Sequence, residues 1–172
     1  MSFPIKSQRM LLAFISGTTA IALASLAIAS HASLIPASRL INPDELVKIL
    51  QSAKSEKPLM IQVGSHVLYQ QAHIPASEYI GPGSSENGLQ ALRKRMEPLL
   101  RNKFIVLYCG CCPWNHCPNV KPADETLRAM GFIHMKVLYI ANNFGTDWVD
   151  KGYPVAKGDY KNGTPPDWGR HI

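Results

Sequence analysis

Four cysteines crowd into nine consecutive positions, Cys109, Cys111, Cys112 and Cys117, with His116 beside the last of them. Thiols placed so closely can do three kinds of chemistry: nucleophilic sulfur transfer through a thiolate, exchange between dithiol and disulfide, or coordination of a soft metal ion. Cys109 and Cys112 form a C-x-x-C pair with Gly110 as its second residue. That spacing brings two sulfurs within bonding reach, so that one attacks and the other resolves. As ligands, the four thiols and His116 suit Cu(I) better than Zn, because adjacent Cys111 and Cys112 strain a closed tetrahedral site and no second, separated ligand motif completes it. A fourth reading is that one or two disulfides pin the loop and consume the sulfurs. Stapling frameworks, however, spread their cysteines so that each bridge closes a long loop. This cluster is local, which points to chemistry.

The elements that must position these sulfurs are legible around them. Phe104 to Tyr108 is the strongest strand signal in the chain and runs directly into Cys109. Leu59 to Val63, ended by Gly64, and Lys136 to Ile140 are further short apolar runs that read as buried strands. Helical signals alternate with them. Asn42 is placed as an N-cap with Pro43 at the first helical position and Glu45 at the capping-box position, ahead of Leu46, Ile49, Leu50 and Ala53 at helical spacing. Leu89, Leu92, Met96 and Leu99 form a second stripe, interrupted at Pro98, and Pro122 to Met130 a third that stops at Gly131, where a left-handed C-cap is wanted. Continuous apolar strands alternating with amphipathic helices predict an α/β fold with a mainly parallel sheet covered on both faces. Ligands of such sheets sit beyond the carboxyl ends of the strands, where the cysteines fall. A helix opening near Asn119 is expected to lower the pKa of Cys109. Tyr108 and Trp148 read as core residues, His73 as a structural hydrogen-bonding group, and Asn142, Asn143 and Gly145 as a turn.

The chain has 172 residues, of which 46% are hydrophobic and 17% charged, a composition that excludes a disordered tail or a fibre. Residues 1–32 read as an export signal: Lys6 and Arg9 supply the basic end, Met10 to Ile28 an uncharged apolar stretch, and Ser30 and Ala32 a cleavage site before Ser33. Left uncleaved, the same stretch is long enough to anchor the protein in a bilayer, which is the expected limit of any membrane contact. One domain follows at 33–155, with a flexible tail at 156–172. Export places the thiols in an oxidising compartment such as the periplasm. The net charge of +6 falls to +4 without Lys6 and Arg9, and the densest basic run, Arg93 to Arg95, lies on a helix. No nucleic-acid partner and no cofactor are expected.

Three segments carry a family resemblance. Ala72-His73-Ile74-Pro75-Ala76, after the short helix-like stretch Val67 to Gln71, resembles a Gly-His-Ile-Pro-Gly-Ala signature. Ile105 to Cys109 resembles a strand that delivers a catalytic cysteine, and Trp148 with Lys151-Gly152-Tyr153-Pro154-Val155 resembles a closing Trp and Gly-x-Pro-Val. In this order they are similar to the rhodanese-like superfamily from Ile41 to Val155. The resemblance implies a three-layer α/β fold in which Cys109 accepts a sulfane sulfur as a persulfide and passes it to a thiophilic acceptor, within a loop whose amides cradle an anion. The segment Cys109 to Asn119 is longer than the family's loop and contains no Arg, which leaves Lys121 as the nearest cation. Gln62-Val63-Gly64 stands where the family commonly has Asp-x-Arg.

The function expected is therefore that of an exported sulfurtransferase or sulfur-handling enzyme working through a persulfide on Cys109. Cys112 is its resolving partner, and Gly110, Cys111, Trp114, Asn115 and Lys121 bind the substrate, a small sulfur-containing anion or a protein thiol. The alternative is a periplasmic thiol–disulfide redox or copper-handling module using Cys109, Cys111, Cys112 and Cys117. A non-catalytic rhodanese-like binding domain comes third.

Overall fold

The computed structural model describes residues 35–159. The expected signal segment 1–32, and the tail from 160 onward, lie outside the described residues. Five strands, β1 (Leu40–Ile41), β2 (Leu59–Gln62), β3 (Glu78–Tyr79), β4 (Ile105–Tyr108) and β5 (Met135–Leu138), form one sheet in the order β1-β5-β4-β2-β3. Every pairing in it is parallel. Among the described residues, four α-helices provide the crossovers and the two covering layers: α1 (Pro43–Gln51), α2 (His66–Gln71), α3 (Glu86–Met96) and α4 (Val120–Ala129). The expected α/β architecture is thus present. All four residues of β4 are buried, as a central strand of a doubly covered sheet requires.

The helix boundaries follow from local chemistry. Pro43 occupies the first turn of α1, where its missing N–H costs nothing, with Asn42 at the cap. Ser85 caps α3 by accepting the Gly88 N–H at 3.1 Å, and α3 stops before Pro98, which cannot continue it. α4 begins at Val120, two residues earlier than the pattern suggests, because Pro122 sits in the first turn, where backbone N–H groups have no partner within the helix. It ends at Gly131 with φ +87°, the left-handed C-cap anticipated from the sequence.

Strand alternation sorts the core into two layers. Ile61, Ile105 and Leu107 pack with Leu92, Met96, Leu127 and Phe132 against α3 and α4. Met60, Val106 and Tyr108 pack with Leu46, Leu50, Phe144 and Trp148 on the opposite face. By that parity Cys109 continues the α3/α4 layer while Tyr108 faces away from it. Trp148 is fully buried, donates its Nε1–H to the Pro154 carbonyl at 2.9 Å and stacks on Phe144. His73 is buried and bonds through Nδ1 to the Tyr69 carbonyl at 2.8 Å, and burial lowers its pKa against the opposing effect of that bond. Both match their expected structural roles.

Two regions differ from the sequence reading. Asn142 to Gly145, read as a turn, leads into a π-helical turn, Gly145–Val149, that carries Trp148 into the core. Asp147 accepts hydrogen bonds from the Asn142 N–H at 2.6 Å and side-chain amide at 3.0 Å, and so fixes its start. The chain also stays attached past Val155. Ala156 pairs with His73 in an antiparallel bridge, the Gly158 N–H reaches the Gln70 carbonyl at 2.8 Å, and Asp159 meets His66 at 2.8 Å. The ordered domain therefore extends at least to Asp159, and these last residues hold α2 in place.

Candidate active site

Cys109 is the first residue after β4, so the sheet fixes its position; only 3% of its surface is exposed. Two neighbouring features hold its backbone. From the end of β2, paired beside β4, the Gln62 side chain donates to the Cys109 carbonyl at 3.2 Å and accepts the Gly64 N–H at 3.1 Å. Gly110 then turns the chain with φ +73°, and its carbonyl accepts the Phe144 N–H at 2.9 Å. A Cβ at Gly110 would lie 2.7 Å from that of Phe144, so the turn tolerates neither a side chain nor its conformational cost. At Gly64 a Cβ would come within 2.7 Å of the Cys109 sulfur, which shows how closely β2 approaches it.

The left-handed turn at Gly110 folds Cys111 back onto its neighbour. The Cys109 and Cys111 sulfurs are 2.9 Å apart, and the Cys111 and Cys112 sulfurs 3.4 Å apart. The Cys117 sulfur joins the first two, all three lying within 4.8 Å of one another. The buried Asn119 side chain donates to Cys109 at 3.4 Å and to Cys111 at 3.5 Å, while its carbonyl accepts the Ser84 N–H at 3.1 Å. All four cysteines are free thiols, so no disulfide pins the loop.

The sulfur whose ionisation the surroundings favour is a different one from that expected. Cys117 accepts a hydrogen bond from the Cys109 thiol, and, against the opposing effect of burial, the backbone N–H groups of Asn119 and Val120 at the start of α4 also point at it; its pKa is lowered to about 5. Cys109 moves the other way. As donor to Cys117, and in a buried position, it is held well above the ordinary thiol value. The expectation that the helix N-terminus lowers the pKa of Cys109 is therefore corrected: those amides reach the sulfur nearest the helix, which is Cys117. Cys112 is pushed up to about 12 by burial and by the neighbouring thiols of Cys111 and Cys117.

A pocket of about 430 Å³ opens against Cys109, Gly110 and Cys111. Its other walls come from Gln62 and Tyr108 at the strand ends, Leu68, Gln71 and Ala72 on and after α2, Asn143 and Phe144 just before the π-helical turn, and Gly145 and Val149 within it. None of these side chains carries a charge. Tyr108 keeps its proton because full burial outweighs the opposing hydrogen bonds to Ser77 Oγ at 2.7 Å and from the Ile74 N–H at 3.2 Å.

The remaining candidates from the sequence lie elsewhere. Cys112 turns away from the pocket, toward the His116 carbonyl at 3.7 Å. Trp114 packs edge-on against Tyr139 with ring centroids 5.2 Å apart, and Asn115 is exposed. Lys121 is 3.9 Å from Glu125 on the surface of α4. Sequence reasoning noted Gln62 only as part of the stretch that replaces the family's Asp-x-Arg, passed over Phe144, which carries no chemical signature, and saw Asn119 only as a helix start.

Three convergent sulfurs invite comparison with a metal centre. Two sulfurs bound at about 2.3 Å to one ion and only 2.9 Å apart would subtend roughly 80°, far from tetrahedral or trigonal geometry.

No protein-family model matches the chain, and no curated protein matches it. Solved structures do. The Alr3790 protein of Anabaena sp. is matched at a TM-score of 0.51 and 17% identity, over 68% of this chain and 82% of that one. The solution structure of the rhodanese-like domain of the same Anabaena protein gives 0.50 and 17%, over 78% and 98%. YnjE gives 0.53 and 19%, over 77% of this chain and 34% of that one. The fold is thus rhodanese-like, as the three sequence segments imply.

Proposed function

We propose that this domain handles sulfane sulfur, with Cys109 taking up a sulfur atom as a persulfide and Cys117 managing the proton. One observation carries the reading: at the carboxyl end of the central strand, Cys109 lines a pocket, and its sulfur lies within 4.8 Å of those of Cys111 and Cys117. As a donor R–S–SH enters, the Cys109 sulfur attacks its terminal sulfur while the Cys109 proton passes to Cys117. The donor's S–S bond breaks. R–S⁻ leaves with the proton from Cys117, and the thiolate is restored.

The pocket also argues for the kind of donor. A dianion such as thiosulfate would enter a site with no cation among its lining residues and would lose hydration without a counter-charge. A small organic persulfide, uncharged at its reacting end, suits the apolar and amide-lined walls of Leu68, Phe144, Val149, Gln62 and Gln71. We place this chemistry outside the cytoplasm on the strength of residues 1–32 alone.

The test is to incubate the reduced full chain with a small alkyl persulfide, remove excess reagent and weigh the protein intact. The Cys111→Ser variant, which removes the thiol 2.9 Å from Cys109 that could otherwise displace the acquired sulfur, is expected to gain one sulfur atom that cyanide removes. The double variant with Cys109→Ser is expected to gain none. Equal loading of the two would defeat the assignment to Cys109.

A further inference from the structure

We infer that the domain does more than carry the sulfur: Cys111 discharges the Cys109 persulfide as hydrogen sulfide, and the pair closes to a disulfide, so that the site reduces sulfane sulfur. This rests on the persulfide reading above and adds its second half-reaction.

The geometry is that of a C-x-C dithiol with glycine between the sulfurs. Gly110 adopts φ +73°, which reverses the chain over one residue and sets the two sulfurs 2.9 Å apart. A disulfide needs about 2.05 Å, so closure requires a movement of roughly 0.9 Å within a loop already folded for it. Cys109 and Cys111 both line the same pocket, into which the departing sulfide can escape, while Cys111 attacks the inner sulfur in line with the S–SH bond, from the side opposite the leaving sulfide. Asn119, which donates to both, holds them in register. Cys112, the resolving partner expected from the C-x-x-C spacing, does not line that pocket. A bridge from Cys112 to adjacent Cys111 would also strain the peptide between them.

The step balances. The Cys111 proton passes to the Cys117 thiolate, and the Cys111 sulfur attacks the Cys109 sulfur. The Cys109 S–SH bond breaks, and HS⁻ leaves, taking the proton from Cys117 to become H₂S. Summed with uptake, two protein thiols and R–S–SH give one protein disulfide, R–SH and H₂S. The sulfane sulfur is reduced and the two cysteines are oxidised. Renewal of the site then requires an external dithiol, of a protein or a small molecule, which reduces the bridge by ordinary exchange.

The experiment is a single turnover of the reduced full chain with one equivalent of a small alkyl persulfide and no other thiol present, with sulfide trapped and the protein mapped by mass spectrometry. Sulfide release matching the protein, together with a Cys109–Cys111 bridge, is expected from the wild type. Cys111→Ser is expected to cut release by roughly tenfold or more and to leave a cyanide-labile sulfur on Cys109. A wild type that keeps its persulfide, a bridge mapped to another pair, or unchanged release from Cys111→Ser overturns the discharge step. A Cys111→Ser protein that acquires no sulfur on Cys109 overturns the persulfide reading and the discharge with it, so the two failures are told apart.

Discussion

Replacing Cys117 with serine tests the electrostatic arrangement of the site most directly. In the folded chain the Cys117 thiol is lowered from 9.0 to about 5, by the Cys109 hydrogen bond and by the N–H groups of Asn119 and Val120. At pH 7 a thiol of that acidity is ~99% thiolate, whereas one left at 9.0 is ~1% thiolate. The wild type should therefore show the far-ultraviolet thiolate absorbance of one sulfur appearing with a midpoint near pH 5, well below the ordinary range. Serine keeps the size of the side chain but cannot ionise. In Cys117→Ser the acid transition should vanish. It should not pass to Cys109, which remains buried and is not the sulfur at which the α4 amides point. The thiolate also links pH to stability. Because the folded value lies below the unfolded one, its stabilisation is present in full above about pH 9 and is lost as pH falls toward 5. Urea unfolding of the reduced wild type should weaken from pH 8 to pH 5, and Cys117→Ser should lack that part of the slope. A wild type without thiolate absorbance below pH 7.5, or a variant that keeps the midpoint, would refute the assignment of the charge to Cys117.

Gly110→Ala should destabilise the domain by about 2–4 kcal/mol, combining the cost of a left-handed alanine with the crowding of Phe144, whose Cβ the new methyl would approach to 2.7 Å; urea denaturation gives the value, and a loss under 0.5 kcal/mol would contradict the turn described. Ala76, in the His-Ile-Pro segment, has φ 60° without being glycine, so Ala76→Gly should stabilise the fold by about 1 kcal/mol, read as a raised Tm.

The fold was legible because its signals are local and mutually consistent: the apolar run before Cys109, Pro43 at a helix start and Gly131 at a helix end each act through their own backbone chemistry. Even Ala76 fits, since the resemblance sets a glycine at that position and the backbone there is left-handed. The site was legible only as a cluster. Which sulfur meets which depends on the sign of φ at Gly110, and the sequence pattern C-x-x-C drew attention to Cys112 instead of to the C-G-C turn. Lys121 was chosen by nearness in the chain, yet helix geometry directs it along the surface of α4 toward Glu125. The pocket wall from Asn143 to Val149 had no signal beyond turn residues, because a π-helical turn has no distinctive local pattern.

The proposed division of labour between Cys117 and Cys109 rests on a compromise in thiol chemistry. A thiolate as weakly basic as that of Cys117 is roughly 40- to 100-fold less nucleophilic than one at the ordinary value, so its ionisation at neutral pH is offset by its poor attack. Cys109 has the opposite character: protonated at rest, but strongly nucleophilic once its proton is gone, and facing the pocket that Cys117 does not line. In the proposed mechanism their proximity would let the stabilised anion serve as the base and the basic sulfur as the nucleophile. Neither sulfur alone combines availability with reactivity. The same reasoning accounts for Cys111: once Cys109 carries a persulfide, the returning Cys117 thiolate can take a second proton, and the thiol within its reach that also faces the pocket is Cys111.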